Sequence, residues 1–497
     1  MRSFTYLLIS LTCVFLCGTL WYLFSRGMEI LSLGLLAIPL LIYLINHQKV
    51  LYIAIIATYF SNIYVPGLTG ELQLFYLLVL FASLLAILDS CIDKERIKSY
   101  RLDALFAALF ILNLVLIICV RGIGIRILGS TEWGGMRYII SIIPFFLIFI
   151  NPSITFNRKD WKYILVATIS LTALPAIAEI LFVLSGGTIS FLYLFIGHSG
   201  GTIASLENYE LGSDLVRFQS LNKLGPILVF ISVVMINYKS RIWFWLLIYS
   251  GGTYLILASG HRSVLIDFLV LSFFGGFYFF KDRLLVYYST LGICSFLVLL
   301  LLFNFAYLLP LSAQRALTIL PIIPLSPEAE LSALSTVDWR YHVWDLALTD
   351  LKLNPEYLFI GKGFTFSGRE LESITEYDLN IWWAFITSDY HQGFLSLLIT
   401  SGIPGLITGT LFMVFSFKMY FEKFLLLTDD GSVLWATSKL LLVYLILLAV
   451  KFFTIHGGIH GSLSQLCYMF FILDLLLATQ HNEPLSVIPP EKSGREK

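Results

Sequence analysis

Long apolar runs, each near the length needed to cross a bilayer, recur along most of this chain and are separated by short polar stretches. A span requires about 20 mostly apolar residues in helical conformation. By that measure apolar segments fall near 4–24, 28–46, 49–65, 72–90, 103–120, 135–150, 162–186, 223–238, 242–258, 264–280, 284–306, 393–417, 436–454 and 462–479. The pattern predicts an all-α fold, a polytopic transmembrane helical bundle of about 14 spans. Ser61 and Asn62 interrupt the segment at 49–65, and the run at 135–150 is short and follows Arg137.

Two polar segments are long, near 187–222 and 307–392. The chain therefore divides into spans one to eleven over 1–306, a large loop over 307–392, three further spans over 393–479 and a tail over 480–497. Inside the large loop the spacing predicts an amphipathic helix over Thr336–Leu353, with Val337, Tyr341, Trp344, Leu348 and Leu351 on one apolar face. Trp339 and Trp344 suit an interfacial position, and Pro321, Pro324, Pro327 and Pro355 mark turns around the helix.

Composition agrees with the pattern. The 497 residues are 58% hydrophobic and 13% charged, against roughly 25% charged in a soluble domain. Lys+Arg and Asp+Glu balance at 32 each, so the net charge says nothing about partners. No basic stripe appears, which argues against nucleic acid. The cysteines lie in or beside apolar runs without C-x-x-C spacing, and read as small core residues rather than a disulfide framework. The N-terminal run after Arg2 is long for a signal peptide and lacks a small-residue cleavage site, so it reads as an uncleaved first span.

Positive charge orients the set. With the N-terminus inside, the inner loops hold Lys94, Arg96, Lys98 and Arg101, then Arg158, Lys159 and Lys162, then Lys239, Arg241, Lys281, Arg283, Lys418 and Lys423. The large loop then lies outside. Six histidines (His198, His261, His342, His391, His456 and His460) and the isolated arginines Arg121, Arg126, Arg137, Arg217, Arg262 and Arg340 fall on that outer side. Any one such arginine can be a snorkelling or salt-bridged residue. Several together, on the face that this rule depletes of positive charge, suit an anion, since guanidinium groups bind phosphate in bidentate fashion. The charges within spans are few: Glu179, Asp267, Lys439, Lys451 and Asp474. They form no chain of carboxylates across the membrane, and no internal repeat is visible, both of which weaken a carrier reading.

The most specific local signal is Asp389-Tyr390-His391-Gln392-Gly393-Phe394, followed by Ser401-Gly402-Ile403-Pro404-Gly405-Leu406. It puts a histidine where the large loop returns to the membrane, ahead of a group that bends or packs the span. A neutral histidine there could act as general base toward a sugar hydroxyl, or simply cap the helix. The pair His456 and His460 in HGGIH is spaced for a metal on one helical face, but Gly457 and Gly458 disfavour a helix and no acidic ligand is adjacent. A cavity-lining loop and a plain structural loop are the other readings.

Taken in order, these pieces resemble the bacterial O-antigen polymerase and O-antigen ligase superfamily. The resemblance rests on His391-Gln392-Gly393 through Gly402-Ile403-Pro404-Gly405-Leu406, and on Ser259-Gly260-His261-Arg262-Ser263. It also includes Arg217-Phe218-Gln219 leading to Asn222 and Gly225, and Arg340, Trp344 and Ala347-Leu348 ahead of Gly361-Lys362-Gly363. Gln392 stands where that family commonly has Asn, and Ser220 where it commonly has Gly. The resemblance covers roughly 215–410. It implies a glycosyltransferase of the GT-C-like membrane class in the bacterial inner membrane, with its site facing the periplasm. The donor it implies is an undecaprenyl-pyrophosphate-linked glycan, with no nucleotide sugar, cofactor or metal. His391 would orient or deprotonate the acceptor hydroxyl, and Arg262, Arg217 and Arg340 would hold the pyrophosphate. The favoured branch is the polymerase, whose acceptor is the growing polysaccharide and whose partners can include a chain-length regulator. The alternatives are an O-antigen ligase, with lipid A–core as acceptor, and a lipid-linked oligosaccharide flippase or other transporter.

Overall fold

The computed structural model describes residues 47–60, 73–92, 101–122, 135–150, 156–185, 188, 218, 220–236, 242–279, 284–364, 388–426, 432–455 and 457–482. The predicted segments at 4–24 and 28–46 lie outside them. The described chain is helical and holds no β-strand. In order the helices are α1 (Gln48–Tyr59), α2 (Leu74–Ile92), α3 (Leu102–Arg121), α4 (Gly135–Ile142), α5 (Phe146–Phe149) and α6 (Arg158–Leu184). They continue with α7 (Leu221–Ile236), α8 (Ile242–Ala258), α9 (Arg262–Phe279) and α10 (Leu284–Phe305). The large loop contributes α11 (Leu311–Leu317), α12 (Pro327–Leu353) and α13 (Tyr357–Ile360). The chain then forms α14 (Gly393–Leu426), α15 (Val433–Thr454), a π-helical turn (Ile459–Leu463) and α16 (Ser464–Asn482).

Among the described residues, five helical segments are long and apolar enough to cross a membrane: α3, α6, α14, α15 and the π turn continued by α16. Shorter apolar helices, α1, α2, α4–α5, α7 and α8 among them, stand where further segments are predicted. Helix α3 shows why such helices suit lipid. Ala107, Phe110, Leu114 and Ile117 are buried on one face, while Leu105, Leu109, Leu112, Leu116 and Val120 are exposed on the other. An exposed leucine stripe that long would be an association surface in water, and acyl chains cover it at no such cost.

Among the described residues the two largest apolar cores share α15. One gathers α1 to α5, α14 and α16 around Phe110, Phe145, Phe412, Leu445 and Phe470. The other joins α7 and α9 with Leu317 and Ile323 of the loop, and Ala436 and Leu440 of α15 complete it. Helices α7 and α8 pack backbone to backbone: a Cβ at Gly225 would lie 2.7 Å from Ile256 and 3.0 Å from the Gly252 carbonyl. Among the described residues, several charges within apolar helices have partners. Lys451 and Asp267 meet at 2.8 Å, the Ser220 N–H donates to Glu179 at 2.8 Å, and Lys439 lies 3.3 Å over the Trp435 ring. Asp474 takes Arg101 at 3.3 Å and Lys423 at the end of the bundle where basic loops are predicted.

The joint between the large loop and the bundle is a broken helix. Gly402 departs from helical geometry inside α14, with φ 67°. Two residues later Pro404 has no N–H to offer the Thr400 carbonyl. That vacancy is filled from the loop: the Gly363 N–H donates to the Thr400 carbonyl at 2.9 Å, and the Lys362 N–H to the Ile399 carbonyl at 2.7 Å. Asn113 of α3 donates to the Ser401 carbonyl at 2.8 Å. The G-K-G turn and the S-G-I-P-G group are thus one structure. Both glycines of the turn have positive φ, at 79° and 74°. Lys362 is held at 3.1 Å by Asp350 from the end of α12, and Arg121 donates to the Gly361 carbonyl at 3.3 Å from 4.9 Å above the Tyr357 ring.

The loop helix is longer than expected and turns a different face inward. Helix α12 begins at Pro327, nine residues before the predicted Thr336, because Ser326 caps it and Pro327 occupies its first turn. Val343 and Ala347 are buried against Tyr390, Leu395 and Ile399, with Trp339 and Trp344 alongside. Tyr341 and Leu348, expected on the apolar face, are exposed. The small side chains face inward because the helix is pressed onto α14, where alanine allows close approach. The Trp344 indole N–H donates to the Tyr390 carbonyl at 2.7 Å and fixes the register.

The joint gives a stability prediction. A Cβ at Gly361 would lie 2.5 Å from the Thr400 oxygen, whereas one at Gly122, also at positive φ, would meet nothing within 4 Å. Gly361→Ala should lower stability by about 2 kcal/mol or more, from left-handed strain plus the lost pairing. Gly122→Ala carries only the strain. Thermal unfolding of the two variants in detergent compares them, and equal drops in midpoint would count against the joint.

Candidate functional site

The end of the bundle that carries this joint also collects the arginines and histidines. Between α8 and α9 the chain turns through Ser259-Gly260-His261. Gly260 has φ 72°, and a Cβ there would sit 3.3 Å from Ser312 of α11. Arg315, buried in α11, donates to the Gly260 carbonyl and to Thr336 of α12, both at 2.9 Å. Arg262 opens α9 and donates to the Ala333 carbonyl of α12 at 3.1 Å. Two arginines therefore seat the loop helix over this turn.

Two helical turns beyond Ala333, α12 presents Arg340 on the same side. Among the described residues its Nε is buried with no hydrogen-bond partner. Burial, and then the nearby charge of Arg262, push this guanidinium below its ordinary value, while Asp389 works in the opposite direction. Two like charges in a partly dry place are unfavourable unless an anion joins them.

The far end of the loop supplies the opposite wall. Ser388 and His391 are non-glycine residues at φ 49° and 52°, bracketing Asp389 and Tyr390. Left-handed backbone costs such residues of order 1–3 kcal/mol, and it clusters at functional sites. Here it is held by the Asp389 carboxylate, which accepts the His391 backbone N–H at 3.1 Å. The His391 ring lies edge-on to Trp339, with centroids 5.1 Å apart, beside Arg340.

A third segment closes the cluster. Gly457 and Gly458 pack against the Asp389–Gly393 turn: a Cβ at Gly457 would collide with the Gly393 nitrogen, and one at Gly458 would lie 2.7 Å from the Asp389 carboxylate. This places His460 in the π-helical turn, its Nδ1 3.5 Å from the guanidinium of Arg137, which is buried at the start of α4. Arg137 and Asp389 both act electrostatically on His460.

The structure thus brings Arg262, Arg340 and His391 to one place. Arg217 lies outside the described residues, as do His198, Arg126 and His456. Arg121 belongs to the joint instead. Asp389, Arg137 and His460 join the cluster without having been predicted as site residues. One signal for Asp389 was in the sequence, since an aspartate two residues before a turn residue can accept its N–H. Arg137 stands out in the sequence as an isolated arginine on the outer side, but nothing there pairs it with His460, 323 residues away. Arg315 was missed as well. Among the described residues, no group of three or more His, Cys, Asp or Glu is arranged to hold a metal ion.

What these elements define is an all-helical protein with membrane-length helices and, at one end, a cationic cluster roofed by a loop helix. No protein-family model matches the chain, and no curated protein matches it in sequence.

Two arginines here should behave differently on substitution. Arg315→Ala leaves the buried Gly260 carbonyl without its donor and should cost about 1–3 kcal/mol. Arg340→Gln relieves a like-charge contact and should leave thermal stability unchanged or slightly raised. Midpoints in detergent at low salt distinguish them, and a large loss for R340Q would identify Arg340 as a structural arginine.

Proposed function

We propose that this protein is a polymerase joining undecaprenyl-pyrophosphate-linked oligosaccharide repeat units at the periplasmic face of the bacterial inner membrane, as a GT-C-like protein of about 14 spans. The observation that carries the reading is the convergence of Arg262 and Arg340 on the same side of α12, near enough for their charges to interact, with the buried Nε of Arg340 lacking a hydrogen-bond partner among the described residues. Such a pair suits a ligand with two adjacent anionic groups, which a pyrophosphate supplies. The sequence resemblance supplies the sugar chemistry.

In this reading the acceptor hydroxyl attacks the anomeric carbon of the donor sugar. The bond from that carbon to the pyrophosphate oxygen breaks, and the pyrophosphate leaves with the electron pair, stabilised by Arg262 and Arg340, with Arg217 as a third candidate. His391 orients the hydroxyl or takes its proton. Its left-handed backbone and its contact with Trp339 fit a group held for a purpose. An O-antigen ligase would use the same donor with lipid A–core as acceptor, and the residues described favour neither acceptor. A flippase accords less well, because charges within the apolar helices, such as Lys451 with Asp267, are paired while the arginines gather at one end.

The test is the polysaccharide ladder of a deletion strain. We expect a single repeat unit on the core, restored to full length by the wild-type gene. His391→Ala and the double variant R262Q/R340Q should express normally yet restore less than about 1% of polymer, as befits loss of acid–base and charge-stabilising groups. Polymer retained on the lipid carrier would instead identify a ligase. Normal product length with H391A would remove His391 from the chemistry.

A further inference from the structure

Asp389 has no role in the scheme above, yet its carboxylate is engaged by three separate parts of the chain. Its Oδ1 accepts the backbone N–H of His391, two residues on, closing an Asx turn that keeps His391 left-handed. Its Oδ2 rests against Gly458, where any Cβ would be 2.7 Å away, so the seat exists only because residue 458 is glycine. Its charge is felt by Arg340 on the loop helix and by His460 in the π-helical turn. Those two groups are themselves coupled to Arg262 and Arg137 respectively. Its own turn, the loop helix and the Gly458–His460 segment therefore meet at one carboxylate.

We propose that Asp389 is a positioning residue with two linked effects: it fixes His391 in place, and it opposes the pyrophosphate that the arginines bind. The proposal rests on the pyrophosphate reading. The first effect follows from the Asx turn and the Gly458 seat. The second follows from charge. The turn that carries Asp389 is seated on α12 at both sides of Arg340, by the Trp339–His391 ring contact at 5.1 Å and the Trp344 bond to the Tyr390 carbonyl at 2.7 Å. A carboxylate there repels an anion bound by Arg340 in a partly dry site where screening is weak. Such opposition is useful to a transferase. The pyrophosphate is part of the substrate and, after transfer, is the carrier product. Uniformly tight binding of that group would slow its release without lowering the barrier.

The two effects predict a split that a merely structural residue would not give. Asp389→Asn keeps the shape and an oxygen acceptor but removes the charge. The purified full-length protein in neutral-lipid vesicles should then bind polyprenyl pyrophosphate about tenfold more tightly, as expected for removing one like charge several ångströms away. Polymer formed per unit of protein in the deletion strain should nevertheless fall about tenfold, because the bond to the His391 N–H is no longer charge-assisted and release is slower. Asp389→Ala should keep the tighter binding and lose more activity, having lost the turn as well. Tighter binding together with lower activity in either variant supports the proposal. Weaker binding with lower activity in both, or no change in either measurement, overturns it while leaving the pyrophosphate reading intact. Wild-type protein that fails to bind polyprenyl pyrophosphate, or binding unaffected by R262Q/R340Q, overturns the pyrophosphate reading itself.

Discussion

The rest of this structure depends on one unmade hydrogen bond. Pro404 cannot donate to the Thr400 carbonyl, and Gly402 turns the chain of α14 out of helical geometry just before it. In an apolar bundle an unpaired carbonyl is expensive, so another donor must come to it. The G-K-G turn comes, and with it the end of the large loop. Once Gly361 and Gly363 are docked on α14, the position of α12 follows through Lys362 and Asp350, and that of the Asp389–Gly393 turn through Trp344. A break in one span thereby becomes the socket that holds an outer helix in register.

That arrangement explains how charged groups from distant segments share a small space without collapsing the bundle. Each wall of the cluster is fixed by at least one contact outside Arg262, Arg340 and His391. Arg315 ties the turn before Arg262 to α12, the Trp344 indole holds Tyr390, and a pair of glycines sets the loop of His460 against the turn of His391. The arginines and histidines can then be gathered at one end of the bundle, as an anion-binding site requires. Elsewhere the opposite rule holds. Asp267, Glu179, Asp474 and Lys439 are all partnered within the bundle. The contrast between neutralised charges along the helices and gathered charges at one end gives the functional reading its physical basis.

The loop helix shows how far a local pattern reaches. Its existence and approximate end follow from periodicity. Its start did not, although Ser326-Pro327-Glu328 is a cap, a first-turn proline and a first-turn acid in succession. Those prolines read equally well as turn markers, and only the cap geometry decides between the two. Its buried face also differs from the periodic pattern: Tyr341 and Leu348 carry more apolar area than Ala347, yet they are exposed and Ala347 is buried. Close packing onto α14 selects small residues, and that constraint belongs to the partner surface rather than to the helix.

By itself the sequence determined that the chain is helical and that several of its helices are of membrane length and composition. It also determined that Arg262, Arg340 and His391 are chemically conspicuous, because hydrophobic periodicity and isolated charge are local properties. What only the tertiary structure decided is which of those residues meet. The G-K-G turn and the S-G-I-P-G break are separate signals in the chain and one joint in space. Arg121, with the same sequence context as the site arginines, serves that joint. Arg137 and His460 enter the cluster through a contact spanning 323 residues, where no spacing rule operates. Packing a broken helix requires a specific donor from elsewhere. The identity of that donor is fixed by geometry that exists only after the bundle has formed.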